Sequence, residues 1–341
     1  MIAMKWFSGG VIKKMTRQNQ GLSESVSSQL DTWNRSNVLD LDDFSRSEVE
    51  TVFEVTDTMQ EVLSERTPRI PDLQSQTVVN LFYEPSTRTR TSFERAAKIM
   101  SADTINVSGS GSSVEKGESL IDTVRTLESM GTRVIVMRHR QAGAPYLASR
   151  HVQTSIINGG DGAHAHPTQA LIDLYTIRNK LGAIEGLKVV IVGDILHSRV
   201  ARSNIWGLVC MGAKVTLCAP LTLLHNDFLL AYKEVEGHLN VEPELDLALE
   251  DADVIMTLRL QEERQKQGLL PSIREYIKYY QINSERLRKA KPHALLLHPG
   301  PVMEGIEIST DVSRSTNSVI DEQVENGVAI RMALLHLVAG D

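Results

Sequence analysis

The stretch N-L-F-Y-E-P-S-T-R-T-R-T-S-F-E-R, residues 80–95, joins an apolar run to a block of hydroxyls and guanidiniums. Thr77 to Tyr83 has the length and side chains of a strand, and Phe93, Ala97 and Met100 then recur on one helical face. A helix that begins near Ser86 places Ser86, Thr87, Arg88 and Thr89 at its N-terminus, where backbone N–H groups lack intrahelical partners. The helix dipole favours an anion there. Three hydroxyls add donors, and Arg88 can fork onto two phosphate oxygens. Spacing alone leaves two readings: a phosphate-binding turn, or a serine cap with solvated arginines. A Walker A loop is excluded, because no G-x-x-x-x-G-K-[ST] occurs.

The strand-then-helix order repeats outward along the chain. Strand-like runs follow at Thr104–Val107, Arg133–Met137, Ser155–Ile157, Lys188–Val192, Lys214–Cys218, Val254–Leu258 and Ala294–Leu297. Several are apolar throughout, as expected of parallel strands covered on both faces. Helical spacing relates Leu120, Ile121, Val124 and Leu127, with Gly131 placed to end that helix. Another helix follows Pro167, with Ala170, Leu171, Leu174 and Ile177 on one face. The last, from about Ser318, sets Ile320, Val324, Val328, Met332 and Leu335 on one stripe. This alternation predicts an α/β fold of two domains, each a parallel sheet flanked by helices, with a single barrel as the lesser alternative. The Gly-rich stretch N-G-G-D-G-A-H-A-H-P, 158–167, is the best internal boundary.

Composition narrows the function. The 341 residues carry 36 basic and 43 acidic side chains, a formal charge of -7, so nothing marks the whole molecule as a nucleic-acid binder, although a local basic site such as S-T-R-T-R-T is compatible with it. No run of about 18 apolar residues exists to span a membrane. Two cysteines, Cys210 and Cys218, lie in apolar runs and read as buried thiols of a reducing compartment. The first 23 residues lack Asp and Glu and carry Lys5, Lys13, Lys14 and Arg17; a poorly ordered leader is expected over 1–30.

Polar clusters gather at strand ends, where open α/β sheets bind their ligands. S-G-S-G-S-S-V-E-K-G-E-S, 108–119, is either a plain surface loop or one that closes over an anion with Lys116. V-I-V-M-R-H-R runs a strand into Arg138. In H-A-H-P-T-Q, the spacing of His164 and His166 completes no familiar metal set, and a neutral histidine donating to a carbonyl beside Gln169 suits it better. V-I-V-G-D-I-L-H-S-R has one glycine where a dinucleotide turn needs three, so a nicotinamide cofactor is rejected. Arg199, Arg259 in T-L-R-L-Q, and H-P-G-P at 298–301 follow later strands. Two such arginines in one half-chain point to an anionic second substrate.

Taken in order, F-Y-E-P-S-T-R-T-R, K-G-E-S, V-M-R-H, H-P-T-Q, V-G-D-I-L-H-S-R, T-L-R-L-Q and H-P-G-P resemble the aspartate carbamoyltransferase catalytic chains over about residues 35–340. The resemblance implies a carbamoyl-phosphate domain (31–166 plus 320–341) and an aspartate domain (167–319), the C-terminal helix returning to the first. It implies a cytoplasmic homotrimer with active sites shared between subunits, no metal or organic cofactor, and room for a regulatory-chain or dihydroorotase partner. The reaction implied is transfer of the carbamoyl group to the α-amine of L-aspartate, a step of pyrimidine biosynthesis. By the same resemblance Ser86, Thr87, Arg88 and Thr89 hold the phosphate. Thr89, Arg138 and His166 surround the carbamoyl oxygen, and Gln169 meets the carbamoyl amide. Ser112 and Lys116 come from a neighbouring subunit. Arg199, Arg259 and Gln261, helped by Lys116, bind aspartate. Gly300 and Pro301 contact both substrates through the backbone, around a cis X–Pro bond. One departure stands out: Val302, Met303 and Glu304 precede Gly305 where many relatives carry an arginine, which sets a negative charge near an anion site. An ornithine-type carbamoyltransferase would instead show H-C-L-P and S-M-G motifs. A non-catalytic structural homologue would have lost the phosphate turn or Lys116.

Overall fold

Aliphatic and β-branched runs become strands largely where the sequence places them. The computed structural model describes residues 33–109, 117–261 and 269–339. The expected leader, Ser112 and Lys116 therefore lie outside the described residues. One sheet holds β1 (Thr77–Phe82), β2 (Asp103–Ser108), β3 (Thr132–His139) and β4 (Ser155–Asp161) in the order β2-β1-β3-β4. The other holds β5 (Lys188–Val192), β6 (Lys214–Cys218), β7 (Leu239–Val241), β8 (Val254–Thr257) and β9 (Leu295–Leu297) in the order β7-β6-β5-β8-β9. Every pairing between these strands is parallel. Two sheets, not a barrel, are formed.

The longer helices are α1 (Arg46–Ser64), α2 (Thr87–Ile99), α3 (Leu120–Ser129), α4 (Pro167–Leu181), α5 (Arg199–Cys210), α6 (Ile273–Tyr280) and α7 (Ile320–Ala339). Local chemistry fixes where they start and stop. Ser45 and Glu48 form a reciprocal capping box at α1. Pro167 occupies the first turn of α4, and Gly131, at φ 83°, follows α3 in the left-handed region. Alternate residues of β1 and β5 enter different cores, Val78 and Phe82 one, Val79 and Leu81 another, which is what two covered faces require. Each such fully buried aliphatic side chain contributes about 1.5–3 kcal/mol.

Five expectations change. The three-residue edge strand β7 was not foreseen, since L-N-V is too short to show a period. Strand β2 is mostly exposed in the chain, because it is the sheet's edge. The Gly-rich stretch at 158–167 is not all loop: Asn158 to Asp161 complete the buried strand β4. Of the two thiols, Cys218 is buried but Cys210 only partly so. The C-terminal helix α7 packs most heavily on α1, α2 and α4. Arg133 holds its end through the Ala339 carbonyl at 2.9 and 3.1 Å. Its expected apolar stripe divides: Met332 and Leu335 are buried in the core, whereas Val324 stays 56% exposed.

Candidate active site

In each sheet the strand order reverses once, and the crevice beyond such a reversal is where this architecture opens a binding site. In the first sheet the reversal lies between β1 and β3; in the second, between β5 and β8. The chain leaving β1 becomes the N-terminus of α2, and Arg138 is the penultimate residue of β3. The chain leaving β5 reaches Arg199 at the start of α5, and β8 is followed by Arg259 and Gln261. Both crevices open into one cleft of about 940 Å³, lined from one side by Arg88, Arg138 and His166 and from the other by Arg199, Arg259 and Gln261. Ser86, Thr87, Thr89, Gln169, Gly300 and Pro301 line it too, so all twelve sequence-predicted site residues that are described meet in one place.

Ser86 is the cap residue of α2, yet its side chain makes no capping hydrogen bond and the first turn contains no acidic residue. The helix N-terminus therefore keeps its partial positive charge directed at the cleft. Arg88 is exposed, and its guanidinium has no hydrogen bond or ion pair among the described residues. It lies against the H-P-G-P turn: a Cβ at Gly300, where φ is +65°, would sit 2.9 Å from the Arg88 Cζ. The bond Gly300–Pro301 is cis. Only glycine lets this turn approach the arginine so closely.

Thr89 is buried at 6% exposure, and its methyl group would lie 3.6 Å from a Cβ on Gly159. The Gly159 carbonyl accepts from Arg138 Nη1 at 3.2 Å, which ties Arg138 to the same wall. His166 is buried, and its backbone N–H donates to Ser203 Oγ at 2.9 Å. Ser203 Oγ in turn donates to Asp40 Oδ1 at 2.7 Å. Burial, then the charges of Arg199, Arg138 and Arg331, hold the His166 imidazole well below the usual histidine range. It is a neutral side chain that can donate one N–H to an oxygen gaining charge. Among the described residues no cluster of three or more histidines, cysteines and carboxylates could hold a metal ion.

Glu84, which precedes the Ser86–Thr89 turn, was missed as a site residue. Its Oε2 lies 2.9 Å from Arg199 Nη1 and 3.3 Å from Arg138 Nε, so one carboxylate spans the arginines of both crevices. Arg199 also donates to the Gly162 carbonyl at 3.1 Å. A Cβ at Gly160, where φ is +117°, would lie 2.9 Å from the Arg199 Cζ. Glu307, also missed, is 1% exposed and accepts from Leu260 N at 2.9 Å and Met303 N at 2.8 Å. It links the Arg259–Gln261 loop to the segment after H-P-G-P. Arg331 of α7 completes the cleft floor, its guanidinium 5.1 Å from the Phe93 ring centroid. Burial lowers its pKa to about 10. No sequence pattern could have separated Arg331 from an ordinary helix arginine. Glu304 is not among the residues that line this cleft; it is exposed and 4.0 Å from Arg314, beside an adjoining hollow that shares Val302, Ile320 and Asp321 with the cleft.

Comparison with known proteins decides the lineage. Residues 36–179 match the aspartate/ornithine carbamoyltransferase carbamoyl-P binding domain, and residues 185–338 match the Asp/Orn binding domain of the same family. The chain belongs to the aspartate/ornithine carbamoyltransferase family. The aspartate carbamoyltransferase catalytic subunit of Roseiflexus sp. (strain RS-1) is 58% identical over 307 residues, 90% of this chain and 96% of the relative. Aspartate transcarbamoylase from Trypanosoma cruzi, solved in complex with carbamoyl aspartate and phosphate, superposes with a TM-score of 0.81 at 31% identity, covering 89% of this chain and 95% of that one. Ornithine carbamoyltransferase from Pyrococcus furiosus gives 0.80 at 29% identity, covering 89% and 97%. The carbamoyltransferase fold is thus shared by both acceptor classes, and the acceptor must be read from the site.

Proposed function

We infer that this carbamoyltransferase moves the carbamoyl group of carbamoyl phosphate to the α-amine of L-aspartate, giving N-carbamoyl-L-aspartate and phosphate. One observation carries the reading. The cleft faces an N-terminal helix turn with Arg88 on one wall and Arg199, Arg259 and Gln261 on the other. Cationic donors on the second wall suit a dicarboxylate and would repel the ammonium of ornithine. The 58% identity to an aspartate carbamoyltransferase catalytic subunit supports the same acceptor.

In this reading Ser86, Thr87, Arg88 and Thr89 hold the phosphate, while Thr89, Arg138 and His166 donate to the carbamoyl oxygen. Gln169 meets the carbamoyl amine, and Arg199, Arg259 and Gln261 hold the aspartate carboxylates. Gly300 and Pro301 present backbone groups to both substrates. Binding the two together replaces a bimolecular encounter by a local attack. The amine nitrogen bonds to the carbamoyl carbon, and the oxygen becomes negative in a tetrahedral intermediate. Preorganised donors lower that barrier most. The carbon–oxygen bond to phosphate then breaks, and the departing phosphate takes the amine proton. Neither a covalent enzyme intermediate nor a cofactor is required.

The domains are taken as 31–166 plus 320–341 for carbamoyl phosphate and 167–319 for aspartate. The working assembly is a cytoplasmic homotrimer in pyrimidine biosynthesis, with Ser112 and Lys116 lent by a neighbour and a regulatory or dihydroorotase partner as a further association. Among the described residues no helix is long and apolar enough to cross a membrane. Mixing Arg88→Ala chains with Lys116→Ala chains tests the sharing: restored turnover is expected, and a mixture as inactive as its parents refutes it. The reaction is tested by incubating purified protein with carbamoyl phosphate and either L-aspartate or L-ornithine. Stoichiometric carbamoyl-aspartate and phosphate are expected. Turnover with ornithine alone overturns the acceptor, and inactivity with both favours a structural homologue.

A further inference from the structure

We propose that Asp173 is a positioning residue of this site, whose buried carboxylate turns the Gln169 amide so that its carbonyl oxygen faces the cleft and selects a substrate bearing N–H at the reacting carbonyl. The inference rests on the carbamoyl-phosphate reading above and adds the origin of discrimination between a carbamoyl group and an acyl group of the same shape.

Asp173 is fully buried on α4, one turn after Gln169, and is itself absent from the cleft wall. Three side-chain amides converge on it. Gln169 Nε2 donates to Oδ1 at 2.8 Å, Gln323 Nε2 to Oδ1 at 2.7 Å, and Asn204 Nδ2 to Oδ2 at 2.8 Å. These donors come from α4, α7 and α5, so one carboxylate joins three helices around the cleft. An ionised carboxylate offers acceptors only. Each amide must therefore present its NH2 to Asp173, since the flipped form would press a carbonyl oxygen against a carboxylate oxygen.

That constraint fixes what each amide offers at its other end. For Gln323 the free end is visible: its Oε1 accepts from the His298 backbone N–H at 3.0 Å, and His298 Nδ1 accepts from Gly300 N at 2.8 Å. For Gln169 the other end is an oxygen on the cleft wall, with no hydrogen bond among the described residues. An oxygen held there accepts from a carbamoyl NH2 and has nothing to accept from a methyl group. Left without a donor, it forfeits its bond to water on binding. Burial pushes the Asp173 pKa up to about 6, against the pull of Asn204, Gln169 and Gln323. Its charged, acceptor-only form accordingly prevails at neutral pH.

Two stable analogues isolate the effect: phosphonoacetamide, and 2-oxopropylphosphonate, which has CH3 in place of NH2. By calorimetry the unsubstituted protein should bind the amide at least about tenfold tighter, the scale set by one satisfied against one unsatisfied buried polar group. Asp173→Asn frees the Gln169 amide to flip and should reduce that ratio by about tenfold, with the Kd for inorganic phosphate changed less than about threefold. In a Gln169→Ala background the same substitution should alter the ratio less than about twofold, because the effect passes through Gln169. An unchanged ratio in Asp173→Asn, or an equal loss in the Gln169→Ala background, overturns the proposal while leaving the functional reading intact. Failure of the unsubstituted protein to bind either phosphonoacetamide or phosphate overturns both. If Asp173→Asn does not fold, NMR of glutamine-labelled protein still decides. The Gln169 NH2 signals, identified by their loss in Gln169→Ala, should exchange slowly and stay in place when phosphonoacetamide binds. Signals that shift as those of a group newly bonded to the ligand refute the orientation.

Discussion

Arg88→Ala separates binding chemistry from folding more cleanly than any other change in this cleft. The residue is exposed overall, though partial burial lowers its guanidinium pKa; it has no hydrogen bond or ion pair among the described residues and rests beside Gly300. Among the described residues its removal breaks no hydrogen bond or ion pair and leaves no buried charge unpaired. The melting temperature should therefore stay within about 2 °C, the effect of a surface change below about 0.5 kcal/mol. Catalysis should respond very differently. A fork onto phosphate supplies two charge-assisted hydrogen bonds worth about 1.5–3 kcal/mol each. Their sum, about 3–6 kcal/mol, corresponds to roughly a 10²–10⁴-fold fall in kcat/KM for carbamoyl phosphate. Arg88→Lys retains a point charge without the fork and should lie between the two. The assay is initial-rate formation of carbamoyl-aspartate, paired with thermal denaturation of the same preparations. A near-normal rate for Arg88→Ala refutes the assignment of the turn. A large fall in melting temperature would show instead that Arg88 stabilises the fold.

Arg259→Ala should raise the KM for aspartate by tenfold or more, with the KM for carbamoyl phosphate changed little, since one charge-assisted pair is lost; equal changes in both constants count against it. Glu84→Gln removes the carboxylate that spans Arg138 and Arg199, both largely buried, and should cost about 1–3 kcal/mol in urea denaturation while weakening aspartate saturation; unchanged stability would mean that the two arginines need no counter-charge. For His166 the folded pKa lies well below that of the unfolded chain, so the unfolded state binds the proton first. This residue takes nothing from stability above about pH 6.5 and subtracts from it as pH falls below that value. Its imidazole NMR shifts should stay flat from pH 8 to about 5.5, and a titration centred near the ordinary histidine value would contradict the neutral-donor role.

Much of this site was legible before any coordinates. S-T-R-T-R-T could be placed at a strand-to-helix turn because hydrophobic period and helix-end chemistry are local properties, set within a dozen residues. Arg138 at the end of β3, Arg259 after β8 and Arg199 beyond β5 were identifiable by the same rule of strand ends. What escaped was every residue whose role depends on a neighbour far along the chain. Glu84 pairs with Arg199 across 115 positions, and Asp173 accepts from Gln323 across 150. No window of sequence contains both partners, so each looked like an ordinary acidic side chain. The apolar stripe of α7 misled for a related reason: Val324 and Val328 border the cleft, and only packing reveals which part of a stripe meets core.

The sequence by itself determined the parallel α/β class, the strand-to-helix turn at Ser86 to Thr89, and the set of strand-end residues from which a site could be assembled. These follow from backbone periodicity and side-chain chemistry, which need no knowledge of distant contacts. The tertiary structure alone decided that both strand-order reversals open into one cleft, that Glu84 spans its arginines, and that His166 is kept neutral among them. Those are properties of distance and burial. A charge about 3 Å away from a largely buried arginine outweighs any local propensity, and its position is set by how two sheets and α7 pack.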